Sequence, residues 1–510
     1  MATIKSIQKP RANMIPIPLM LGIGGIAAAA IIGLMAAATP TFTILGIVAL
    51  IIIVASLQYP EAATLTFFFI LYTNSALIAA NFHNVPIAIA GLFPLIMMLP
   101  FAIYMLFGKE KIILTPQLYL LAGLLLVQVV GTINSIDVGT ASEELFEFIV
   151  EGVIIYFLVT NVVRTPATLK RVMLVILIAA IILGAFPLFQ ELTKTYDNNY
   201  GGFAQIEEYA GFTAQETLIS EVRQQRLSGA IGEVNRFAQT MLMMLMISLP
   251  MLGGRTSLPW KLIALAASVF SVAGVILPFS RGAAVGFALL VIIAVPLRLI
   301  DVRRVAVFVM LGVVALMAVP QYAARIVSIQ DSFEYVAGDS SSGEADGATK
   351  GRLTEMLAAV IVYVEHPVVG VGPGMYKYYS QDVGNQLGIR RLDGARRSHS
   401  LYLDIAANTG TLGLLTTLGA VFVTVRQLIR VRNRWERGNP FLRNVATGLA
   451  LAIIVYMTTG FFLHFAYIRY FWTTIALGAA TAQISKQVAE SITDDPALAT
   501  AATAATAAHP

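Results

Sequence analysis

The sequence predicts an all-α protein, a polytopic bundle of about 12–14 transmembrane helices with a large, partly helical loop outside the membrane. Three observations support this prediction. Charged residues make up only 12 % of the 510 residues, about half the roughly 25 % that is typical of a soluble domain. The mean hydropathy is +0.77. Apolar runs of about 20 residues, which is the length of a membrane-spanning helix, recur along most of the chain.

About fourteen apolar segments, each about 20 residues long, are candidate spans. In chain order they are 15–38, 41–57, 60–81, 85–107, 115–135, 144–163, 169–191, 233–252, 259–279, 281–300, 303–320, 399–427, 444–465 and 468–486. We interpret the first as a membrane helix and not as a cleavable signal peptide, because no polar cleavage region follows it.

The distribution of basic residues predicts the orientation. Apart from the very short one near 58–59, connections after even-numbered spans are basic, as at Lys109 and Lys111. The short connections near 39–40, 82–84 and 136–143, after odd-numbered spans, contain no Lys or Arg, and Arg281 and Arg469 are the exceptions on that side. Cytoplasmic loops of membrane proteins carry this excess of positive charge. The pattern predicts a cytoplasmic N-terminus and two long loops on the extracytoplasmic side.

The predicted organisation has seven parts, named by residue range. They are a cytoplasmic tail (1–14), transmembrane helices (15–191), an extracytoplasmic loop (192–232), transmembrane helices (233–320), a large extracytoplasmic loop (321–398), transmembrane helices (399–486) and a disordered cytoplasmic tail (487–510). Within the large loop, residues 338–351 are small and polar and are expected to be mobile. Residues 352–365 have helical apolar spacing, and His366-Pro367 should end that helix.

His399 is the strongest candidate for chemistry. It lies where the large loop enters an apolar helix, close to the outer membrane–water boundary. Histidine titrates near neutral pH and can take a proton from a hydroxyl nucleophile. The alternative is an interfacial histidine that caps the helix.

Loop arginines are the second candidate group. Arg396 and Arg397 precede His399, with Arg390 and Arg391 a few residues before them. Guanidinium groups bind phosphate through paired hydrogen bonds and keep their charge, so arginines beside a histidine suit a lipid-linked phosphate or pyrophosphate. A solvated basic loop, or contact with anionic lipid, explains the same charges.

Arg281 lies between two apolar spans with almost no loop. A charge so close to the hydrocarbon is costly, which indicates a functional partner, although the side chain could also extend to the interface. Glu144, Glu147 and Glu151 have helical spacing at the start of another span. They could face a cavity and pair with arginines or hold an acceptor sugar, or they could form a structural stripe of ion pairs.

Four stretches of the chain resemble the bacterial O-antigen ligase and polysaccharide polymerase superfamily. They are RLSGAIGEVNRFAQ (226–239), SRGAAVGF (280–287), GRLTEMLAAVIVYVEHPVVGVGPGMY (351–376) and SHSLYLDIAANTGTLGLL (398–415). The sequence departs from the family pattern at Ser400, where the family often has Asn, and at Asn408, where it often has Glu.

The resemblance implies an integral-membrane glycosyltransferase of the GT-C type. Such enzymes move a glycan from an undecaprenyl-pyrophosphate carrier to a hydroxyl acceptor outside the cytoplasmic membrane, with inversion and without a metal or other cofactor. It implies that His399 is the base and that Arg226, Arg281 and Arg352 bind the carrier. The acceptor would be a glycan, a lipid or a protein, and membrane lipids but no nucleic acid would be partners.

Two other classes remain open on the sequence. A transporter or flippase of lipid-linked glycan would need charged residues or broken helices near the bilayer midplane, whereas most span centres here are apolar. A membrane assembly protein would need basic loops for anionic lipid but would not need His399.

Overall fold

The computed structural model describes residues 59–207, 225–300 and 347–494, apart from positions 92, 254–255, 390–393, 395 and 465–467. Within these residues the chain is almost entirely helical, which confirms the predicted all-α class. The α-helices, in chain order, are α1 (Pro60–Thr73), α2 (Ser75–Phe82), α3 (Ile87–Gly91), α4 (Met98–Leu106), α5 (Pro116–Ile133), α6 (Val138–Glu147), α7 (Ile155–Val162), α8 (Pro166–Thr193), α9 (Val234–Met251), α10 (Leu258–Ile276), α11 (Arg281–Ala294), α12 (Gly347–Glu365), α13 (Tyr376–Gln386), α14 (Leu401–Arg434), α15 (Pro440–Thr459) and α16 (Ile468–Asp494).

Three short elements join these helices. Phe93–Met97 and Tyr200–Gly202 are 3₁₀ turns, and Phe148–Ile154 is a π-helical segment that links α6 to α7 without a break. In the described residues the strands are β1 (Gln205–Glu207) and β2 (Arg226–Gly229), which pair antiparallel.

Seven described segments are long and apolar enough to cross a membrane, or eight if the pair α1–α2, bent by 61°, is one span. The chain is therefore a multi-pass membrane protein. The predicted spans 15–38, 41–57 and 303–320 lie outside the described residues, so the total of about 12–14 spans stays a prediction.

The starts of several helices follow from their first residues. Proline lies in the first turn of α1, α5, α8, α10 and α15, where its missing N–H would have had no helical partner. Side chains cap other helices: Asp137 accepts from Gly139 and Thr140 at α6, and Ser280 accepts from Ala283 at α11. The sequence thus sets where Arg281 begins its helix.

The helices differ in how much of their surface is inside the bundle. In α15, 89 % of the span is buried, whereas in α14 the value is 28 %. The helix α9 packs along α15 and α10, and almost all of its residues are buried. The pair α9–α15 therefore forms the centre of the bundle, and α14 exposes apolar residues such as Leu415 and Phe422 outwards.

A break in α14 receives the glycine turn that follows α12. Gly410 has φ 64° and ψ −167°, and a side chain there would collide with the main chain of Val368, in a region open essentially only to glycine. The carbonyl oxygens of Ala407 and Asn408 accept hydrogen bonds from the N–H groups of Val371 and Gly372, each at 3.0 Å. This contact fixes the end of α12 against the start of α14.

Two helix boundaries differ from the sequence expectation. The loop helix ends at Glu365, as expected, but it begins at Gly347, so residues 347–351 are helical where a mobile segment was expected. The helix α16 continues to Asp494, eight residues into the predicted disordered tail of 487–510. Residues such as Lys486, Gln487 and Glu490 are good helix formers, which explains the extension.

Candidate functional site

His399 lies immediately before α14 and is held by a carboxylate from α12. Its Nδ1 is 2.5 Å from Oε2 of Glu355. An ionised carboxylate can only accept a hydrogen bond. Nδ1 therefore carries a hydrogen and donates a hydrogen bond to Glu355. The other ring nitrogen, Nε2, then has the lone pair that a general base needs.

Glu355 is almost completely buried, at 1 % exposure. Its second oxygen, Oε1, lies 3.4 Å from Nη1 of Arg396, and its main-chain carbonyl accepts a hydrogen bond of 2.5 Å from the hydroxyl of Tyr376. Burial and the nearby carboxylates of Glu355 and Asp404 raise the pKa of Tyr376, so that hydroxyl stays a donor. Glu355 is therefore fixed on both its main chain and its side chain.

The two neighbouring arginines of the loop point to different partners. Arg396 pairs with Glu355, while Arg397 makes an ion pair with Glu144. Lys377 lies 3.9 Å from the same Glu144 carboxylate. The loop segment before His399 thereby contacts both Glu355, the partner of His399, and Glu144 of α6.

A cavity of about 340 Å³ opens between these elements. Four carboxylates and two guanidinium groups contribute to its wall, together with His464 and uncharged residues. The charged members are Glu144, Glu147, Glu151, Asp404, Arg397 and Arg469. The cavity is therefore net acidic and lies beside the Arg397–His399 segment; we call it the acidic cavity.

The π-helical segment shapes the acidic cavity. The wider turn begins just after Glu147 and contains Glu151, and such π turns occur often at functional sites. Gly152 lets the ring of Phe148 pack close, because an added Cβ would lie 2.9 Å from that ring. All three glutamates of this stretch line the cavity, and two of them also form ion pairs, so each of the two predicted arrangements is present in part.

The three glutamates differ in their partners. Glu144 pairs with Arg397, and Glu151 pairs with Arg469 at 2.8 Å. Arg469 is buried and also donates to Asn74 at 2.9 Å. Glu147 has neither a hydrogen bond nor an ion pair with any residue of the described part, and its side chain is open to the cavity.

Arg226 contacts the segment that leads into α11, the helix that begins with Arg281. Arg226, in β2, is buried, and its Nε donates to the carbonyl of Pro278 at 3.0 Å. Pro278 is three residues before Arg281, the first residue of α11. The segment is held further by Ser280, whose hydroxyl donates to Asn235 at 2.8 Å.

The connection between α15 and α16 links the start of α11, where Arg281 lies, to His399. Gly282 packs against Phe462, Arg236 donates to the carbonyl of His464, and the rings of His464 and His399 have centroids 6.3 Å apart. Burial, followed by the charges of Arg236 and Arg397, lowers the pKa of His464 to about 2. His464 is therefore neutral and acts as a packing or hydrogen-bonding group.

Not every predicted site residue makes a described contact. Arg352 is exposed on α12, one helical turn before Glu355, so it lies at the rim of the site. Arg390 and Arg391 lie outside the described residues. Asn408, where the sequence departs from the family pattern, accepts from the N–H of Tyr376 at 2.9 Å and holds the glycine turn.

Sequence reasoning missed Glu355 as a partner of His399 and Arg236 as the anchor of His464. Glu355 lies inside the apolar part of α12, whereas Glu365 is its last residue. A buried charge must be paired, and this is the signal that could have found Glu355. Among the described residues, no group of three or more His, Asp and Glu side chains is placed to hold a metal ion.

Comparison with protein families identifies one segment of the chain. Residues 266–418 match the O-antigen ligase family. The match covers less than a third of the chain, runs from α10 into α14, and includes Arg281, Glu355 and His399. It confirms the resemblance to the O-antigen ligase and polymerase superfamily. No curated protein matches the chain.

The family match implies an O-antigen ligase-like or polymerase-like glycosyltransferase activity. It also implies a lipid-linked glycan and a glycan acceptor as the substrate classes. Arg226 precedes the matched segment, so its connection to the family rests on the resemblance of residues 226–239 alone.

Proposed function

We propose that this protein transfers or polymerises an undecaprenyl-pyrophosphate-linked glycan onto a hydroxyl acceptor at the extracytoplasmic face of a bacterial cytoplasmic membrane. The observation that carries the proposal is the His399–Glu355 pair. Both residues belong to the matched segment, and the pair leaves the second ring nitrogen of His399 without a partner among the described residues.

In this reaction His399 is the general base. Its Nε2 removes the proton from the acceptor hydroxyl as the oxygen attacks the anomeric carbon of the donor sugar. The bond from that carbon to the pyrophosphate oxygen breaks, and undecaprenyl pyrophosphate leaves. One displacement inverts the anomeric centre, so no enzymic nucleophile is required. Glu355 is a positioning residue, because it fixes the tautomer and orientation of His399 and stabilises the imidazolium that forms.

Arg226 and Arg281 are the residues that would hold the pyrophosphate. Both belong to the region around Pro278, and guanidinium groups stabilise the charge that develops on the leaving oxygen without a metal. Arg396 and Arg352 flank Glu355 on the outer side and would contact the carrier or the glycan. Arg397 is held by Glu144 and belongs to the acidic cavity.

The acidic cavity is the proposed site for the acceptor sugar. Carboxylates accept hydrogen bonds from sugar hydroxyls, and a net negative cavity disfavours a pyrophosphate. This proposal gives the acceptor the acidic cavity and gives the carrier the region around Arg281, so each substrate has its own binding region. Whether the acceptor is the growing chain or another anchor separates polymerase from ligase.

The test is turnover by the purified protein in nanodiscs with undecaprenyl-pyrophosphate oligosaccharide, with and without a chelator. Wild-type protein should release the carrier in both conditions. His399→Ala should lower the rate by roughly 10²- to 10⁴-fold, the usual contribution of a general base, whereas His366→Ala, an exposed loop histidine, should not.

The products of the reaction distinguish the remaining functions. A ladder of longer glycans indicates polymerase, and a single addition to a supplied acceptor indicates ligase. A folded His399→Ala protein as fast as wild type would remove His399 as the base. Wild-type protein that binds the carrier but never turns over would favour a transporter or flippase.

A further inference from the structure

A second cavity lies at the opposite end of α14 from His399. Its volume is about 360 Å³, and its wall comes from the start of α5, the last turns of α14 and the C-terminal half of α16. Because α5 begins and α14 ends here, the cavity opens at one surface of the membrane. The basic connections of the sequence predict that this surface is cytoplasmic.

Three cationic side chains line this second cavity. They are Arg430, Arg434 and Lys486, and no carboxylate among the described residues joins them in the wall. Lys486 lies 3.8 Å from Glu490, one turn along α16. Arg430 and Arg434 have no hydrogen bond or ion pair with any residue in the described ranges. The charge in the cavity is therefore available for an anion.

The start of α5 adds little to this positive field. Thr115 precedes the helix, but its hydroxyl bonds to Tyr156 at 2.5 Å and makes no cap with α5. The first N–H groups of a helix lack helical partners and attract anions. Pro116 has no N–H and the N–H of Leu118 donates to the carbonyl of Thr115 at 3.0 Å, so the helix start adds little, and the positive field comes mainly from the two guanidinium groups, which have no partner among the described residues.

A buried, unsatisfied amide points to the rest of the ligand. Gln117 lines the cavity and has no exposed surface. Its Nε2 donates to Gln427 at 2.8 Å and to Thr424 at 3.1 Å, and its Oε1 has no hydrogen-bond partner. A buried acceptor left alone is costly, so a ligand that carries a hydroxyl donor satisfies it.

We propose that this cavity binds the headgroup of an anionic phospholipid that carries a hydroxyl, of the phosphatidylglycerol type. The phosphate lies between Arg430 and Arg434 near the start of α5, and a headgroup hydroxyl donates to Oε1 of Gln117. Basic pockets between transmembrane helices are known to hold such headgroups. The site is distinct from the transferase site, and its test needs no turnover.

The experiment counts bound lipid on the full-length protein. Purified, delipidated protein is titrated with phosphatidylglycerol in a neutral detergent, and bound lipids are measured by native mass spectrometry. The double variant Arg430→Gln, Arg434→Gln should bind the tightest lipid about thirtyfold more weakly, the effect of two cations near a headgroup. The matched control is Arg426→Gln, an exposed arginine one turn away that does not line the cavity, and it should bind as wild type does.

Two further arms identify the ligand chemistry. Phosphatidylmethanol, which has the same charge but no hydroxyl, should bind several-fold more weakly than phosphatidylglycerol to the wild type. Glycerol phosphate and inorganic phosphate test a soluble source; if they displace the lipid at low concentration, the cavity is a phosphate site of the aqueous phase and the lipid assignment is overturned.

Equal binding by the double variant and the wild type overturns the proposal. A loss as large in Arg426→Gln as in the double variant also overturns it, because it would indicate general attraction to a basic surface. Thermal unfolding in uncharged lipid checks that both variants fold, and neither result bears on whether His399 is the base.

Discussion

The two ends of α14 carry cavities of similar size and opposite charge. The cavity at the start of the helix, about 340 Å³, has four carboxylates against two guanidinium groups. The one at the end, about 360 Å³, has three cations. At the first end most of the charged side chains form ion pairs with each other. At the second end Arg430 and Arg434 have no ion-pair partner among the described residues. Paired charges fix side chains in place, as chemistry requires, while open charges attract a ligand.

After the loss of His399 itself, the largest effect should come from the arginines near the start of α11. Arg281→Gln should lower kcat by roughly 10²- to 10³-fold, the usual loss when one donor to a developing charge is removed. Arg226→Gln should act in the same direction. Released undecaprenyl pyrophosphate, measured over time, is the readout.

Arg426→Gln, at the opposite end of α14, is the control for a general effect of lost positive charge. If Arg281→Gln and Arg426→Gln slow the reaction equally, the difference between the two ends has no catalytic meaning. A wild-type rate in Arg281→Gln would contradict the proposed pyrophosphate clamp.

Glu355→Gln should have a smaller effect, a decrease in kcat of roughly 10- to 100-fold, below the 10²–10⁴ expected for loss of the base itself. Glutamine keeps a carbonyl oxygen for Nδ1 but no longer stabilises the imidazolium by its charge. The apparent KM for the lipid-linked donor should change little, because Glu355 faces the base and not the carrier.

A double variant tests whether Glu355 acts through His399. If the two residues form one unit, Glu355→Gln added to His399→Ala should cause no further loss, since effects of contacting residues are not additive. Multiplicative losses in the double variant would give Glu355 a separate role. The thermal unfolding temperature of both variants should be measured as a control, because Glu355 is buried and its replacement also affects stability.

The sequence predicted much of the helical frame. The span 115–135 is α5 and 169–191 lies in α8, because long apolar runs between polar connections leave few alternatives. The loop helix was predicted to end at His366-Pro367, and it ends at Glu365. The family resemblance was also visible, since glycine, arginine and histidine stand in a fixed order in its motifs.

The contacts of the site were less accessible to sequence reasoning. Arg396 and Arg397 are adjacent, yet they pair with Glu355 and Glu144, and only the path of the loop determines which arginine reaches which acid. The pairing of Glu355 with His399 joins residues 44 positions apart. It depends on Gly410, whose break in α14 receives the turn after α12. No spacing rule places such a break.

The sequence also could not predict the surroundings of the glutamates in α6 and in the π-helical segment that follows it. Their helical spacing was visible, but whether they faced a cavity or formed a structural stripe was left open. In the structure all three line the cavity, while Glu144 and Glu151 also form ion pairs, so both arrangements are partly present. The three glutamates differ in their ion pairs. Glu144 pairs with Arg397 and Glu151 with Arg469, whereas Glu147 has no ion-pair partner among the described residues.

The smallest expected effect follows from that difference. Glu147→Gln should raise the apparent KM for the acceptor about fivefold and leave kcat nearly unchanged. The reason, at a pH that keeps the Glu147 carboxyl group ionised, is that a hydrogen bond to a charged acceptor is worth about 1 kcal/mol more than one to a neutral acceptor, and about 1.4 kcal/mol corresponds to a tenfold change in affinity. The KM for the donor should stay the same, because the proposed carrier site near Arg281 does not include Glu147.

Glu143→Gln is the matched control, since Glu143 precedes Glu144 on the same helix but is exposed and does not line the cavity. Steady-state kinetics with the acceptor varied would compare the two variants. An equal rise in KM for both would indicate a long-range charge effect, and an unchanged KM in Glu147→Gln would remove the acceptor from the acidic cavity. A rise confined to Glu147→Gln would mean that the unpaired carboxylate contacts the acceptor, and that the open charge at each end of α14 marks the place where a ligand binds.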